Sequence, residues 1–256
     1  MPFANTSTGA NLYYEELNAT ANSIPIVALH GLLGTGRKDL GGVIDWLATE
    51  GYRVIAPSLR GYGQSTPKPR DFPYKFYNRD ADDILAFLAA LNIEKCHLLG
   101  YSDGGEIALI CSGTRSQNFI SVATIGAVGY MGPDTRTAIM GYRFGSQWIT
   151  QEELKLHSIP NANKFAAQWV RSMVMMVDSG GDVAVSIAQN ITAPLLMMLG
   201  KKDKLNPGQY AEAFLERVNN GRLVMFNAGH ALHEHQEAAF RKTYLRHIQA
   251  AEKTNQ

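Results

Sequence analysis

The sequence predicts an α/β fold with a mostly parallel central sheet, helices on both faces of the sheet and a small helical insertion. Two observations lead to this prediction. Short apolar runs bounded by turn residues alternate with stretches whose apolar residues recur every three or four positions. The interval from Gly126 to about Gln189 breaks this alternation. Because parallel strands need right-handed crossovers, intervening helices cover both faces of the sheet.

Six short apolar runs predict the strands of the sheet. They lie at residues 24–30, 52–56, 95–101, 119–125, 193–199 and 222–226. Amphipathic stretches predict helices at residues 37–50, 80–92, 104–114, 208–219 and 233–251. A chain of 256 residues with 45% hydrophobic content can bury one sizeable core. We therefore assign residues 1–128 and 190–256 to a single core domain.

Residues 129–189 predict a helical cap, or lid, inserted into that core. Their methionines and tryptophans lie on helix-like stretches interrupted by turn residues such as Pro133 and Pro160. Ordinary core packing explains such apolar helical stripes equally well. The insertion nevertheless falls where the edge of the sheet would be open, which is a common place for ligand sites. We call residues 129–189 the cap segment and expect Trp148 and Trp169 to contact substrate.

The composition excludes several classes of function. The 24 Lys and Arg residues nearly balance the 23 Asp and Glu residues, so no strong positive field attracts nucleic acid or an acidic membrane. A small-molecule substrate is expected, bound by a monomer or a small homo-oligomer. Cys96 and Cys111 do not suggest a disulfide framework, and neither a signal peptide nor a membrane-spanning run is evident. These features predict a soluble, cytoplasmic protein.

The clearest chemical signal is Gly-Tyr-Ser-Asp-Gly at residues 100–104, between a predicted strand and a predicted helix. A serine hydroxyl becomes a good nucleophile only when a base removes its proton, the resulting oxyanion is stabilised and substrate can reach it. Gly100 and Gly104 let the backbone bend sharply and expose Ser102 at the apex of the turn. Gly-x-Ser-x-Gly in this context is called a nucleophile elbow. The motif alone is weak, and the strand and helix around it carry the prediction.

Candidates for the acid and the base follow in the chain order Ser, acid, His. Asp203 comes just after the apolar run 193–199, and His230 comes just after the run 222–226. Open α/β sheets assemble their sites at the carboxyl ends of the strands. The sequence therefore predicts Ser102 as nucleophile, His230 as base and then acid, and Asp203 as the group that orients the imidazole.

Two alternatives to this triad deserve consideration. His230, His233 and His235 could form a metal cluster, but no Glu-x-x-His or cysteine spacing accompanies them. Asp134 could supply the acid, but it follows Pro133 at the entry to the cap segment, where a turn residue is expected. The triad is favoured over both, and neither a metal nor another cofactor is expected.

His30-Gly31-Leu32 follows the first long apolar run and suggests an oxyanion hole. The backbone amide of Leu32 would pair there with that of Asp103. His30 and Tyr101 flank these amides and are further candidates for substrate contact. The alternative is a glycine-rich turn without a binding role. A phosphate-binding loop is less favoured, because Gly-Lys-Ser/Thr and Gly-x-Gly-x-x-Gly are both missing here.

Several motifs together resemble the α/β-hydrolase superfamily and, within it, the biphenyl-hydrolase-like or valacyclovir hydrolase family. They are RGYGQSTPKPRDFP (60–73), FYNRDADD (76–83), LLGYSDGGEIALI (98–110), WVRSMV (169–174), GGD (180–182), GKKDKLNP (200–207) and GHALH (229–233). The resemblance covers nearly the full length and implies an α/β-hydrolase fold. It also implies a cofactor-free serine hydrolase that cleaves esters, notably of α-amino acids, with Ser102, Asp203 and His230 as its triad.

The same resemblance implies a role for Asp103, which stands where the family has the aspartate that receives the ammonium group of the substrate. A carboxylate beside a developing oxyanion opposes it by about 4 kcal/mol at about 4 Å and an effective dielectric of about 20, so a nearby cation would explain the residue. Alternatively, Asp103 only begins a helix, where the helix dipole favours a carboxylate by roughly 0.3 to 1 kcal/mol. Tyr101 departs from the family, whose members often have tryptophan there, and residues 131–168 match it poorly.

These features lead to three hypotheses of function. The first is a carboxylic ester hydrolase that acts through an acyl-enzyme and prefers α-amino acid esters. The second is a carbon–carbon bond or lactone hydrolase, or a perhydrolase, which can use the same triad. The third is a receptor that binds a small molecule and keeps the triad without rapid turnover, because fold alone does not determine function.

Overall fold

An eight-stranded sheet forms the centre of the computed structural model, which describes residues 2–254. The strands in chain order are β1 (Phe3–Asn5), β2 (Asn11–Leu17), β3 (Ile26–Leu29), β4 (Val54–Pro57), β5 (Cys96–Tyr101), β6 (Phe119–Ile125), β7 (Leu195–Gly200) and β8 (Gly221–Phe226). Their order in space is β1-β2-β4-β3-β5-β6-β7-β8. Strands β3 to β8 are parallel, whereas β1 and β2 pair antiparallel at one edge.

Helices cover both faces of this sheet. They are α1 (Gly41–Thr49), α2 (Phe76–Ala90), α3 (Asp103–Thr114), α4 (Pro133–Met140), α5 (Gln151–His157), α6 (Ala162–Asp178), α7 (Gly208–Leu215), α8 (Leu232–His235) and α9 (Glu237–Thr254). Within residues 2–254, none of them combines the length and the apolar character that crossing a membrane requires. Cys96 on β5 and Cys111 on α3 are buried free thiols.

The side chains of each strand alternate between the two faces of the sheet, and this divides the core into two apolar clusters. Val27 and Leu98 belong to the cluster that includes residues of α2, α3 and the cap segment. Ala28 and Leu99, their immediate neighbours in the chain, belong to the cluster that includes residues of α1 and α9. Successive side chains of a strand point to opposite faces, and both faces are covered here. The predicted fold class, a mostly parallel sheet between two helical layers, is therefore confirmed.

The predicted elements differ from the structure mainly at their ends. Strands β1 and β2 were not predicted, because β1 is short and most of β2 is only partly buried, so its apolar pattern is weak. Helix α1 begins at Gly41 instead of residue 37, since the amides of Arg37 and Lys38 donate to Thr35 Oγ1 and form a turn. The helix predicted at 233–251 is divided at Gln236, whose φ of −130° interrupts it.

The cap segment contains α4, α5, α6 and short 3-10 helices at Gly145–Gln147 and Val185–Asn190. Its two ends lie side by side, because Met131 N donates to Gly181 O at 2.9 Å and Ala184 N donates to Gly129 O at 3.0 Å. Gly181 has a φ of +71°, and a Cβ there would collide with the carbonyl oxygen of Met131. The segment thus leaves and re-enters the sheet region at one place. Its division from the core as a separate cap stays a prediction.

Candidate active site

Ser102 lies at the sharp turn between β5 and α3. Its φ of 53° and ψ of −120° are values that side-chain-bearing residues rarely adopt. Such strain, on the order of 1 to 3 kcal/mol, persists only where surrounding contacts enforce it. Here Ser102 N donates to Ile125 O at 2.8 Å, and Gly105 N and Glu106 N donate to Ser102 O at 2.8 and 3.1 Å. The backbone at the proposed nucleophile is therefore fixed from both sides.

The glycines on either side of Ser102 are required by close packing. A Cβ at Gly100 would collide with the carbonyl oxygen of Gly104, and a Cβ at Gly104 would collide with the carbonyl oxygen of Leu29. Helix α3 can approach strands β5 and β3 this closely only without those side chains. The strand-turn-helix predicted from Gly-Tyr-Ser-Asp-Gly is present, with Ser102 at its apex.

The structure brings Ser102, His230 and Asp203 into one chain of hydrogen bonds. His230 Nε2 lies 2.9 Å from Ser102 Oγ, and His230 Nδ1 lies 2.7 Å from Asp203 Oδ2. Asp203 follows β7 and His230 follows β8, so the three side chains meet at the carboxyl ends of parallel strands. In this geometry His230 can accept a proton from the serine while Asp203 holds the opposite ring nitrogen.

Asp203 is held in its ionised form. Burial opposes the charge, but the hydrogen bond and the charge of His230, the backbone amide of Leu205 and the side chain of Asn206 outweigh it, and the pKa of Asp203 lies below its ordinary value. The backbone amides of Leu205 and Asn206 donate to Oδ1 at 2.9 and 3.3 Å, while Oδ2 accepts from the Asn206 side chain at 3.4 Å and lies 2.7 Å from the imidazole. A carboxylate fixed in this way stabilises an imidazolium on His230.

The alternative candidates lie apart from this chain. Asp134 accepts a hydrogen bond from the Tyr210 hydroxyl at 3.1 Å. His233 Nε2 lies 3.3 Å from the carbonyl oxygen of Asp39, and His235 is exposed. In the part of the chain that the structure describes, no three His, Cys, Asp or Glu side chains are grouped so as to hold a metal ion.

The loop after β3 passes directly beside Ser102. A Cβ at Gly31 would lie 3.0 Å from the Ser102 Cβ, and Gly31 N donates to Asp39 Oδ2 at 2.9 Å. Among residues 2–254, neither the Leu32 amide nor the Asp103 amide has a hydrogen-bond acceptor. Two free amides near a serine are what an oxyanion hole requires.

His30 supports this loop and does not line the cavity at Ser102. Its ring is completely buried, with Nδ1 2.7 Å from Gly31 O and Nε2 accepting from Leu59 N at 2.8 Å. Burial lowers the pKa of His30 to about 3, so the ring is neutral. Both ring nitrogens are occupied by backbone groups, which explains why the predicted substrate contact is not found.

A cavity opens beside Ser102, and its space measured out into the open solvent is about 350 Å³. The core contributes most of its polar residues, which are Tyr77, Ser102, Asp103, Glu106 and Asn206. The cap segment contributes Met131, Thr135, Ile139, Trp169 and Met173. A cleft of about 800 Å³ between α1 and α9 is larger, but Ser102 does not line it. The cavity at Ser102 is therefore the candidate site.

Asp103 faces this cavity with one oxygen unpaired. Oδ1 accepts from the Tyr77 hydroxyl at 2.6 Å, whereas Oδ2 has no partner among the described residues. The side chain is only 7% exposed. Burial raises the pKa of Asp103 to about 6, although the hydrogen bond from Tyr77 and the charge of Arg70 oppose the rise. Arg70 is paired with Asp80, and within residues 2–254 Asp103 has no ion-pair partner of its own.

Glu106 is a second buried carboxylate of the cavity, and it was not predicted from the sequence. Its oxygens accept from Val128 N at 2.9 Å and Gly129 N at 3.0 Å, and burial raises its pKa to about 7. Residues three apart on a helix lie on the same face, so the spacing from Asp103 was an available signal. Tyr77 and Thr135 were also missed, and no local pattern marks either of them.

The predicted aromatic contacts differ in position. Trp169 lines the cavity, as expected. Trp148 lies behind it, with ring centroids 6.3 Å apart, and donates its indole N–H to Tyr142 O at 2.8 Å. Tyr101 packs against the His230 ring at 5.2 Å between centroids and supports the imidazole from outside the cavity. The structure thus brings one of these three residues to the site.

Comparison with known sequences identifies the family. The sequence model described as alpha/beta hydrolase fold matches residues 24–168, more than half of the chain. Serine hydrolase BPHL of Homo sapiens is 31% identical over 232 residues, which cover 88% of this chain and 78% of that protein. Serine hydrolase BPHL of Mus musculus is 29% identical over 230 residues, with the same coverage.

Solved structures with low sequence identity share the fold. An esterase from Exiguobacterium antarcticum has a TM-score of 0.77 and 22% identity, over 96% of this chain and 98% of that one. The 2-hydroxy-6-oxo-6-phenylhexa-2,4-dienoate hydrolase of a Rhodococcus strain also has a TM-score of 0.77, with 20% identity over 97% and 98% of the two chains. The chain therefore belongs to the α/β-hydrolase fold family and is a hydrolase related to serine hydrolase BPHL.

Proposed function

We propose that this hydrolase cleaves carboxylic esters through an acyl-enzyme on Ser102 and prefers esters of α-amino acids. The observation that carries the amino acid preference is the unpaired Oδ2 of buried Asp103, in the cavity that Ser102 also lines. The hydrogen-bonded chain of Ser102, His230 and Asp203 supports the acyl-enzyme.

Acylation begins with attack of Ser102 Oγ on the ester carbonyl carbon. His230 Nε2, 2.9 Å away, takes the hydroxyl proton, and Asp203 stabilises the imidazolium through Nδ1. The carbonyl oxygen becomes an oxyanion that the amides of Leu32 and Asp103 can bind. Collapse of this intermediate breaks the bond to the alcohol oxygen, and His230 returns the proton to the leaving alcohol.

Deacylation repeats these steps with water as the nucleophile. His230 removes a proton from the water, whose oxygen attacks the acyl carbon on Ser102. The second oxyanion is bound at the same amides. When it collapses, the bond to Ser102 Oγ breaks, His230 gives the serine its proton, and the carboxylic acid leaves.

An ammonium group would solve two electrostatic problems at Asp103. A buried carboxylate without a counter-charge is unfavourable, and it also opposes the oxyanion forming beside it. A substrate ammonium at Oδ2 supplies the missing partner and offsets the repulsion. The α-amino group is separated from the reacting carbonyl carbon by a single carbon atom, which suits an aspartate that directly follows the nucleophile.

The charge of the cavity disfavours one alternative function. A dienoate substrate carries a carboxylate, which the carboxylate of Asp103 would repel. The likeness to the Rhodococcus dienoate hydrolase is at 20% identity and therefore supports the fold only. We accordingly place ester hydrolysis ahead of cleavage of such carbon–carbon bonds.

The test compares L-alanine benzyl ester with the benzyl ester of propionic acid, which lacks only the amino group. We expect kcat/KM to favour the alanine ester by about tenfold or more, and Asp103→Asn to remove most of this preference. Because the pKa of Asp103 is raised to about 6, the preference should increase as pH rises through that value. It should fall again once the ammonium loses its proton.

The outcomes separate the hypotheses. Equal rates for the two esters would leave an esterase without an amino acid preference. Turnover of neither ester would contradict the proposed function and favour the carbon–carbon hydrolase or the receptor. If Asp103→Asn lowered kcat/KM equally for both esters, Asp103 would support the fold of the site and would not bind the ammonium.

A further inference from the structure

Two further polar atoms of the cavity are buried and unpaired. Thr135 Oγ1 on α4 and Trp169 Nε1 on α6 have no hydrogen-bond partner among the residues that the structure describes. Their residues are 3% and 6% exposed, and both line the cavity that contains Ser102. Buried polar groups in folded proteins nearly always have a partner, so these two atoms need an explanation.

The chemistry of the two atoms restricts what can occupy the cavity. An indole N–H only donates, whereas a threonine hydroxyl can donate or accept. The missing partner must therefore accept from Trp169 and can also donate to Thr135. An ammonium cannot accept, and a carboxylate would meet the carboxylate of Asp103 in the same cavity. A neutral hydroxyl satisfies both atoms.

The rest of this wall is apolar. Met131, Ile139 and Met173 line it beside the two polar atoms. A hydroxyl carried on one or two carbon atoms would pack its carbons against these residues while its oxygen reached Thr135 and Trp169. A long or charged side chain would lose one of these two interactions.

We propose that the preferred substrates are esters of small β-hydroxy α-amino acids, of the seryl and threonyl kind. This inference rests on the proposed function, because it assumes an acyl group on Ser102 with its ammonium at Asp103. The Cα substituent then projects from the nucleophile towards the other walls of the cavity, which α4 and α6 provide. Its hydroxyl accepts from Trp169 Nε1 and donates to Thr135 Oγ1.

A pair of substrates with the same shape tests the hydroxyl. L-Serine benzyl ester and L-2-aminobutyrate benzyl ester differ only in an OH in place of a CH₃, and they share the leaving group and the ammonium. We expect kcat/KM to be at least about tenfold higher for the serine ester, since a site built for a hydroxyl leaves its polar groups unpaired with the methyl analogue.

Variants of the two residues locate the effect. Trp169→Phe removes the N–H, and Thr135→Val replaces the hydroxyl with a methyl group, so each should lower the serine-to-aminobutyrate ratio several-fold. Thr137→Val is the matched control, because Thr137 is an exposed residue on the same helix, and its ratio should equal that of the wild type. Since both substrates are measured on one preparation, loss of folded protein cancels from the ratio.

Each result supports the inference or overturns it. Equal turnover of the two amino acid esters by the wild type would overturn the inference and leave the proposed function standing. Turnover of neither ester would overturn both. A high ratio that persists in Trp169→Phe and in Thr135→Val would show that neither atom recognises the hydroxyl.

Discussion

The nucleophile wall of the cavity, formed by β5 and α3, and the cap wall, formed by α4 and α6, place their polar groups by different means. On the nucleophile wall the backbone itself is fixed, because Ser102 N donates to Ile125 O at 2.8 Å and glycines permit close packing. On the cap wall, Thr135 and Trp169 lie on separate helices and reach the cavity only through packing. This difference suggests that the first wall sets the reaction and the second selects the acyl group.

The largest expected effect is at the nucleophile. Ser102→Ala should reduce ester turnover by at least about 10⁴-fold, because no other group in the proposed mechanism can form the acyl-enzyme. The melting temperature should change little, since the serine hydroxyl bonds to His230 alone among the residues that the structure describes. Turnover assays and thermal unfolding of the same preparation check both statements. Activity retained by this variant would exclude Ser102 as the nucleophile.

The next effect tests the close packing of the nucleophile wall. Gly104→Ala places a Cβ against the carbonyl oxygen of Leu29 and should lower the free energy of unfolding by about 3 kcal/mol or more. The matched control is Gly42→Ala in α1, where a Cβ meets nothing within 4 Å and helix propensity favours alanine by up to about 1 kcal/mol. Denaturant unfolding measures the free energy of unfolding of both variants. Equal values for Gly104→Ala and Gly42→Ala would contradict the packing argument.

Glu106 joins the nucleophile wall to the first residue of the cap segment, and its raised pKa predicts a pH dependence. The folded-state pKa of about 7 lies above the ordinary glutamate value of 4.5, so the folded protein binds the proton more tightly than the unfolded chain. The contribution of Glu106 to stability is therefore lost as pH rises between those values. Glu106→Gln cannot titrate, so its stability relative to wild type should improve from about pH 5 to about pH 8. If the free energy of unfolding changed with pH in the same way for Glu106→Gln and the wild type, the prediction would be contradicted.

The smallest effect concerns the contact between the loop that follows β3 and the cap segment. Lys38 Nζ lies 2.5 Å from Glu153 Oε1 on α5, with side chains that are 34% and 18% exposed. A partly exposed pair of this kind contributes at most about 1 kcal/mol. Lys38→Met should therefore lower stability by less than that and change kcat about twofold at most. A larger loss of kcat would mean that the cap segment positions the Leu32 amide.

Much of the fold and of the nucleophile wall follows from local patterns in the chain. Strand periodicity, the elbow glycines and the order of Ser102, Asp203 and His230 were readable because short-range sterics and parallel topology control them. Strand ends that share one edge of a sheet bring their next residues together, and the structure has these three within hydrogen-bonding distance. Strands β1 and β2 were missed because this prediction relies on a clear apolar pattern. That pattern is weak near the exposed edge of the sheet.

The cap wall and the partners of Asp103 and Glu106 depended on contacts that no local pattern records. The bond from Tyr77 to Asp103 spans 26 residues, and Glu106 reaches the amides of Val128 and Gly129. The sequence favoured Trp148 and Trp169 equally as substrate contacts. Of these two residues only Trp169 lines the cavity, because Trp148 lies behind it and donates its indole N–H to the carbonyl oxygen of Tyr142. Periodicity determines which residues are buried, but the partner of each buried polar atom depends on how distant helices pack. For that reason the chain order of Ser102, Asp203 and His230 could indicate the proposed reaction, whereas the unpaired atoms behind the substrate proposals became visible only in the tertiary structure.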